Sequence, residues 1–167
     1  MKAVVVYESL WGNTAAVAQA IAEGIGPGVQ VLTTDAADDE AVSGADLIVA
    51  GSPVHAFSLP RDEMREQLAS KPDADAPGPP DVSHPSMRSW LESLRPGRGR
   101  AAAFETRVWW SPRGATGDIE KRLERAGYVR AAKAQKFVVK GTYGPLREGE
   151  LERARQWGAE LAQALVA

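Results

Sequence analysis

Cysteine is absent from this sequence, and histidine occurs only twice in 167 residues. Without cysteine the chain has no disulfide, no thiolate metal site and no thiol redox chemistry. The two histidines, His55 and His84, lie far apart and lack the spacing of metal ligands, so no metal site is predicted. A nucleophile elbow and a catalytic dyad are lacking too. We therefore predict no catalytic side chain from motifs alone.

Long apolar runs and an excess of one charge are also lacking. The N-terminal apolar run, residues 3–7, stops at Glu8 and is too short for the core of a signal peptide. No segment approaches the ~20 apolar residues that cross a bilayer. The 22 acidic and 20 basic residues are mixed along the chain and give a formal net charge of -2. We expect a cytoplasmic protein that neither enters a membrane nor binds nucleic acid.

The composition is that of one globular domain. Hydrophobic residues make up 44% and charged residues 25% of the chain, which is ordinary for a soluble protein. A segment rich in proline, at about residues 71–83, interrupts the pattern. Because too little chain precedes it to complete a sheet, we interpret it as a loop insertion within a single domain that spans residues 1–167.

Short apolar runs alternate with segments of helical periodicity. The predicted strands are residues 3–7, 29–33, 46–50, 100–104 and 137–139. The predicted helices are a first one through Ile25, then residues 61–70, 86–94 and 118–126, and a last one from about Glu148, while residues 35–43 form a loop with at most a weak helix. This alternation predicts a three-layer α/β fold, a doubly wound five-stranded parallel sheet between helices.

In such a sheet, ligands bind beyond the carboxyl ends of the strands, at the point where the strand order reverses. The loops after the first, third and fourth strands therefore matter most. The loop after the fifth strand, residues 141–146, is expected to lie farther away, and we assign it a structural role.

The first of these loops has the composition of an anion site. Gly12 permits a tight turn and a close approach of the backbone, and Asn13 and Thr14 are residue types that cap helices. The N–H groups and the dipole of the following helix favour a bound anion, although a turn and a cap without any ligand explain the same residues. The lysine of nucleotide hydrolases and the Gly-x-Gly-x-x-Gly pattern are missing. The prediction is a phosphate cradle without lysine, made of Ser9, Leu10, Trp11, Gly12, Asn13 and Thr14.

The ending Gly12-Asn13-Thr14 resembles the phosphate loop of the flavodoxin family, and the aromatic Trp11 is similar to the loop of flavodoxin-like quinone reductases. The resemblance implies a flavodoxin-like sheet with strand order 2-1-3-4-5. It also implies FMN as cofactor, with its phosphate held by residues 9–14. Flavodoxins usually have a hydroxyl residue just before the loop glycine, where this chain has Trp11.

The second loop begins with a Gly-Ser-Pro sequence that is similar to the one flavodoxins have here. Its candidate cofactor residues are Ser52, Pro53, Val54, His55, Ala56 and Phe57. The resemblance implies that residues 54–57 flank the isoalloxazine ring of FMN and that His55 stacks on the ring or hydrogen-bonds its edge. The alternatives are that His55 is a solvated loop residue and that Phe57 anchors the loop in the core.

The third loop supplies Thr106, Arg107 and Trp109 as candidate cofactor residues. By resemblance, Thr106 bonds a pyrimidine carbonyl of the flavin, and Trp109 or Trp110 stacks on its ring. Arg107 is suited to stabilise negative charge near N1 of the reduced flavin. Its alternative role is an ion pair with Glu105 or another acid, and large aromatic residues such as these tryptophans more often anchor the core or a loop.

These observations predict an FMN-binding redox protein. It is either an electron-transfer flavodoxin or a small FMN-dependent oxidoreductase that uses NAD(P)H or a quinone, so its partner is a redox protein or a small electron donor or acceptor. The balanced charge and the arginines Arg61, Arg107 and Arg113 favour the oxidoreductase. The alternative is a flavin-free binding or regulatory module. A receiver domain is excluded, because Ala50-Gly51-Ser52 ends the third strand in place of a phosphorylatable aspartate.

Overall fold

The computed structural model describes residues 1–167 and contains six strands and six helices. The strands are β1 (Ala3–Tyr7), β2 (Gln30–Thr33), β3 (Leu47–Pro53), β4 (Arg100–Val108), β5 (Val129–Arg130) and β6 (Gln135–Val139). The helices are α1 (Asn13–Ile25), α2 (Asp39–Val42), α3 (Asp62–Ser70), α4 (Met87–Ser93), α5 (Thr116–Arg125) and α6 (Glu150–Val166). No helix has the length and apolar content needed to span a bilayer.

All strands are parallel, in the order β2-β1-β3-β4, and both β5 and β6 lie beside β4. The predicted order 2-1-3-4-5 is confirmed, but the fifth position is shared by two short strands. β5 pairs with the start of β4, at Arg100 and Ala101, and β6 pairs with its end. β5 was not predicted, because a strand of only two residues, Val129 and Arg130, is too short to show a strand pattern.

The sheet is buried on both faces. Val4 and Val6 of β1 belong to a core cluster with α4 and α5, whereas Ala3 and Val5 belong to one with α1 and α6. This alternation explains why β1 reads as an unbroken apolar run. Burying both faces of the central strands in this way yields the predicted three layers.

Helices α1 and α6 pack unusually close together. A Cβ atom on Gly158 would overlap the carbonyl oxygen of Ile21, and one on Gly24 would overlap that of Arg155. Gly158 admits this close approach of α1, because it faces the neighbouring helix.

β3 and β4 are longer than predicted, since β3 continues through Pro53 and β4 through Val108. The two strands stay in register up to the pair formed by Pro53 and Thr106. Glu105, Thr106 and Arg107 are therefore strand residues and do not belong to a loop. The predicted strand ended before these charged residues, but in the structure Glu105 and Arg107 pair with each other and with groups of the segment that follows β4.

Residues 71–86 contain no helix or strand and lie against the first loop. The N–H of Asp81 donates to the carbonyl of Leu10 at 2.8 Å, and the indole N–H of Trp11 donates to that of Gly78 at 3.2 Å. The proline-rich segment thus forms one wall beside the carboxyl end of β1.

Candidate functional site

A cleft of about 230 Å³ opens at the carboxyl ends of the strands, where the strand order reverses between β1 and β3. Loops after β1, β3, β4 and β6 surround it. Its walls combine hydroxyl groups, apolar and aromatic side chains, and one arginine. The lining residues are Ser9, Leu10, Trp11, Asn13, Thr14, Pro53, Val54, His55, Ala56, Phe57, Thr106, Arg107, Val108, Trp110, Ser111, Val139 and Thr142.

The turn from β1 into α1 is made by Gly12, which has a φ of 95°. This left-handed conformation suits a residue without Cβ. Gly12 is also the N-cap, so Asn13 is the first helical residue and neither Asn13 nor Thr14 caps the helix, which corrects the sequence prediction. The hydroxyl oxygen of Ser9 accepts the N–H of Gly12 at 3.1 Å and that of Ala15 at 3.3 Å, and so fixes the turn.

Five backbone N–H groups of this turn have no acceptor in the protein, namely those of Ser9, Leu10, Trp11, Asn13 and Thr14. They lie at the N-terminus of a helix of 13 residues, where the aligned peptide dipoles produce a partial positive charge. Unpaired N–H groups combined with such a charge are suited to a phosphate group.

A hydrogen bond links the first loop to β4. The hydroxyl oxygens of Thr14 and Thr106 lie 2.8 Å apart, and both residues are buried. This contact fixes the start of α1 relative to the end of β4. Two residues that are 92 positions apart in sequence therefore line the same part of the cleft.

The loop after β3 holds two residues in the left-handed region, Ala56 with a φ of 48° and Phe57 with a φ of 63°. Such conformations cost about 1–3 kcal/mol for residues other than glycine and cluster at functional sites. A backbone pair between His55 and Ser58 closes the turn, with hydrogen bonds of 3.0 and 3.1 Å. Burial lowers the pKa of His55, so its imidazole is neutral at pH 7.

Two aromatic side chains from opposite loops meet across the cleft. Phe57 and Trp110 make an edge-to-face contact with ring centroids 6.0 Å apart. Trp109 does not line the cleft, since its side chain is 69% exposed and points away. Trp110 is therefore the aromatic residue of this loop that is placed to contact a ligand, and Trp109 is not.

Arg107 enters the cleft from the end of β4 and is only 9% exposed. One of its guanidinium nitrogens lies 3.3 Å from the carboxylate of Glu105, and another donates to the carbonyl of Ser111. The ion pair with Glu105, which was the alternative role for Arg107, is present. The same guanidinium pairs with Glu105 and lines the cleft, so the two roles considered for Arg107 are compatible.

The loop after β6, residues 141–146, reaches the first loop, contrary to the expectation that it lies farther away. Thr142 lines the cleft, and the ring of Tyr143 contacts that of Trp11 edge to face at 4.7 Å. A Cβ on Gly144 would lie 2.6 Å from the side-chain oxygen of Asn13. Only glycine allows this close approach.

Glu8, a residue that the sequence analysis did not single out, is buried behind the first loop. Its carboxylate accepts the N–H of Met87 at 2.7 Å and lies 3.4 Å from Nε of Arg65. Burial raises the pKa of Glu8 to about 7 in spite of these two contacts. A second, smaller cavity of about 120 Å³ adjoins this pair and Gly12.

No family model matches the chain, and no curated protein is similar enough in sequence to match it. Solved structures do match. A flavodoxin from the domain Archaea has 22% identity and a TM-score of 0.66, with 100% of both chains covered. Flavodoxin 1 from Bacillus cereus has 18% identity and a TM-score of 0.66, with 98% of both chains covered. The fold is flavodoxin-like.

The same fold occurs within larger proteins. The rubredoxin oxygen:oxidoreductase of Desulfovibrio gigas has 21% identity and a TM-score of 0.69. The alignment covers 99% of this chain but 36% of that protein. The present chain therefore corresponds to about one third of that oxidoreductase, and the similarity concerns the flavodoxin-like part alone.

The flavodoxin-like cleft brings together most of the residues that the sequence analysis selected. Three of them do not line it. Gly12 turns the chain beside it, Ser52 is fully buried beneath it, and Trp109 points to solvent. Four lining residues were not selected from the sequence, Val108, Ser111, Val139 and Thr142, whereas Trp110 was named there as the alternative to Trp109.

Proposed function

We propose that this protein binds FMN in the cleft and acts as a redox protein, specifically a small oxidoreductase with a low-molecular-weight electron donor or acceptor. The observation that supports this most directly is the set of five unpaired N–H groups, in the turn from Ser9 to Thr14, beside a cleft with aromatic walls. The unpaired N–H groups suit a phosphate group, and the cleft with aromatic walls suits a flat ring. A ligand in which a short chain joins a phosphate group to a flat ring would match both halves of the site. FMN has this shape.

The phosphate half would be held mainly by the backbone. The hydroxyl oxygen of Ser9 already accepts two N–H groups, so its own hydrogen is available to donate to a phosphate oxygen. Hydrogen bonds to a charged group contribute about 1.5–3 kcal/mol each. The helix dipole of α1 adds to this attraction, and no lysine is needed.

The ring half of the site would be formed by the neutral imidazole of His55, the aromatic rings of Phe57 and Trp110, and the guanidinium of Arg107. FMN, when bound, supplies the hydride and electron transfer chemistry, and the protein supplies binding, orientation and electrostatics. The apolar walls would exclude water from the ring, and Arg107 would contribute a positive charge in the same cleft. Because FMN would supply the redox chemistry, this proposal requires no catalytic dyad in the protein.

The charge distribution favours a small-molecule partner over a protein partner. A carrier that docks on basic proteins needs an acidic surface, whereas this chain has 22 acidic and 20 basic residues. The buried cation Arg107 lies in the cleft itself, where it is suited to attract an anionic substrate such as NAD(P)H. Quinones, which are flat, are the corresponding class of acceptor for a cleft walled by aromatic side chains.

The first test is the visible spectrum of the purified protein, followed by titration of the apo form with FMN and, separately, with riboflavin. Riboflavin lacks the phosphate, so we expect it to bind at least about 100-fold more weakly than FMN, the effect of two charge-assisted hydrogen bonds. Quenching of flavin fluorescence reports both affinities. Failure of FMN to bind would overturn the proposal, and equal affinities would overturn the phosphate site.

A second measurement separates the oxidoreductase from the carrier. The FMN-loaded protein is mixed with NADH or NADPH and a soluble benzoquinone, and absorbance at the nicotinamide band is followed. We expect oxidation of at least one nicotinamide that requires both protein and quinone. If neither nicotinamide is consumed while the flavin still accepts electrons from dithionite, the protein is a carrier.

A further inference from the structure

Glu105 and Arg107 form a buried ion pair at the end of β4. They lie two residues apart on the strand, so their side chains leave the same face of the sheet. Oε2 of Glu105 is 3.3 Å from a terminal nitrogen of Arg107, and the two residues are 0% and 9% exposed. A buried pair of this kind requires further hydrogen bonds to offset the loss of hydration.

Those additional bonds orient the pair. Oε1 of Glu105 accepts the N–H groups of Ala115 and Thr116 at 2.9 and 3.0 Å, at the N-terminus of α5. A Cβ on Gly114 would overlap the Glu105 carboxylate, so the loop closes tightly over it. The guanidinium of Arg107 also donates to the carbonyl of Ser111.

Only the positive end of the pair reaches the cleft. Arg107 lines the cleft, whereas Glu105 lies behind it with its negative charge compensated by the helix N-terminus. Glu105 occupies a fixed position because it accepts from α5 and Arg107 at once. The guanidinium, held by Glu105 and by Ser111, has little freedom to leave the cleft.

We propose that Glu105 is a positioning residue that holds Arg107 against the bound flavin, and that the pair makes the site select the reduced, anionic form of the flavin over the oxidised form. This inference rests on the proposed binding of FMN. A hydride brings two electrons and one proton into a neutral ring, so the reduced ring carries one negative charge more than the oxidised ring. A fixed cation in a site of low polarity binds the more negative state more tightly.

The test measures the two-electron midpoint potential of bound FMN with dithionite and reference dyes. In R107Q the ratio of the affinity for reduced flavin to the affinity for oxidised flavin is expected to fall at least tenfold. A tenfold loss corresponds to a midpoint about 30 mV lower for a two-electron couple. Glu92→Gln is the matched control, because Glu92 is exposed, pairs with Arg122 at 3.3 Å and lies outside the cleft. Its midpoint should equal that of the wild type.

E105Q distinguishes positioning from simple charge. Removal of a negative charge by itself would raise the midpoint. The single oxygen of glutamine is required by the two N–H groups of α5, so its amide nitrogen would face the guanidinium, donor against donor, and displace it. Positioning therefore predicts a lower midpoint, shifted towards that of R107Q. A raised midpoint, or one unchanged from the wild type, overturns the positioning role.

Two further measurements keep the inference testable if E105Q does not fold. R107K retains the charge but has no second arm for Ser111, so its midpoint is expected between those of the wild type and R107Q. A value equal to that of the wild type shows that charge alone suffices and overturns positioning.

The FMN titration distinguishes failure of FMN binding from failure of the selection of reduced flavin. If wild-type protein takes up no FMN, both fail, and if it binds FMN but R107Q retains the wild-type midpoint, only the selection of reduced flavin fails.

Discussion

At the scale of single residues, the hydroxyl of Ser9 organises the first loop. It accepts two N–H groups, from Gly12 and Ala15, and so fixes the turn. Under the proposed binding of FMN, removal of this one oxygen would both loosen the turn and delete a donor to the phosphate. The short side chain of Ser9 thus affects the shape of the first loop as well as its own hydrogen bonds.

Ser9→Ala is expected to weaken FMN binding by about 1.5–3 kcal/mol, or roughly tenfold or more, because one hydrogen bond to a charged group is lost. Riboflavin binding should change much less. The control is Ser93→Ala, a serine that is exposed at the end of α4. Equal losses for FMN and riboflavin would show that Ser9 supports the loop but does not contact the phosphate.

The buried carboxyl of Glu8 makes stability depend on pH. Its pKa of about 7 in the folded protein exceeds the ordinary value of 4.5, because burial disfavours the charged form. The neutral acid therefore stabilises the fold. This contribution is complete below about pH 4.5 and is lost as the pH rises to about 7, with a total of about 3 kcal/mol.

Glu8→Gln keeps an oxygen for the N–H of Met87 and removes the titration. Relative to the wild type, we expect the variant to gain up to about 3 kcal/mol of unfolding free energy between pH 5 and pH 8. Urea unfolding at both pH values, for both proteins, measures this difference. The idea fails if the difference between the two proteins is the same at pH 5 and pH 8.

At the scale of elements, Trp11 joins three segments. Its indole N–H donates to the carbonyl of Gly78, and its ring contacts Tyr143, whose hydroxyl donates to Asp73. The first loop, the proline-rich segment and the loop after β6 are thereby tied together. The aromatic residue that replaces the usual hydroxyl thus has a structural explanation in this chain.

Trp11→Phe retains an aromatic ring but loses the hydrogen bond to Gly78, which has a typical value of about 1 kcal/mol. We expect amide exchange at Asp81, whose N–H donates to Leu10, to accelerate about fivefold. Hydrogen exchange followed by mass spectrometry of residues 71–83 measures it. Trp109→Phe, at an exposed tryptophan, should leave this exchange unaltered.

The contact between α1 and α6 depends on glycine. Gly158→Ala is expected to destabilise the protein by about 1–3 kcal/mol, because its Cβ would overlap the carbonyl of Ile21 and force the helices apart. Gly117→Ala in α5 is the matched control. Nothing lies within 4 Å of its Cβ, so it should be neutral or more stable by up to about 1 kcal/mol. Thermal unfolding followed by circular dichroism distinguishes the two.

At the scale of the whole molecule, the sheet assembles the site from segments distant in sequence. Because all strands are parallel, the loops that begin at Glu8, Val54, Trp109 and Lys140 meet at one edge. The reversal of strand order between β1 and β3 leaves a gap between the loops at that edge. A ligand in this gap would contact several of these loops at once.

FMN should therefore stabilise the whole fold. Binding to the native state alone adds about 2.7 kcal/mol to the unfolding free energy at a free concentration 100 times the dissociation constant. Differential scanning fluorimetry with increasing FMN is expected to show a rising midpoint temperature, with little change from riboflavin at equal concentration. A midpoint independent of FMN would mean that the native state does not bind it.

Local patterns in the sequence were sufficient for the fold and for the first loop. Unbroken apolar runs such as residues 3–7 mark strands buried on both faces, and Gly12 marks the turn at the end of β1. Short edge strands are harder to predict from sequence, and β5, which is exposed and only two residues long, is an example. The 141–146 loop was assigned a structural role because it follows the fifth strand and was expected to lie farther from the site. Its actual distance depends on how the loop bends, which is not a local property.

The sequence by itself determined the layers and the tight turn at Gly12, because periodicity and turn chemistry act over a few residues, and a resemblance supplied the strand order. Only the tertiary structure decided where the charged residues of β4 lie. Glu105 and Arg107 stay in a buried strand because α5 and the carbonyl of Ser111 satisfy them. Such compensation comes from residues that the chain brings close only after folding, so it leaves no local signal.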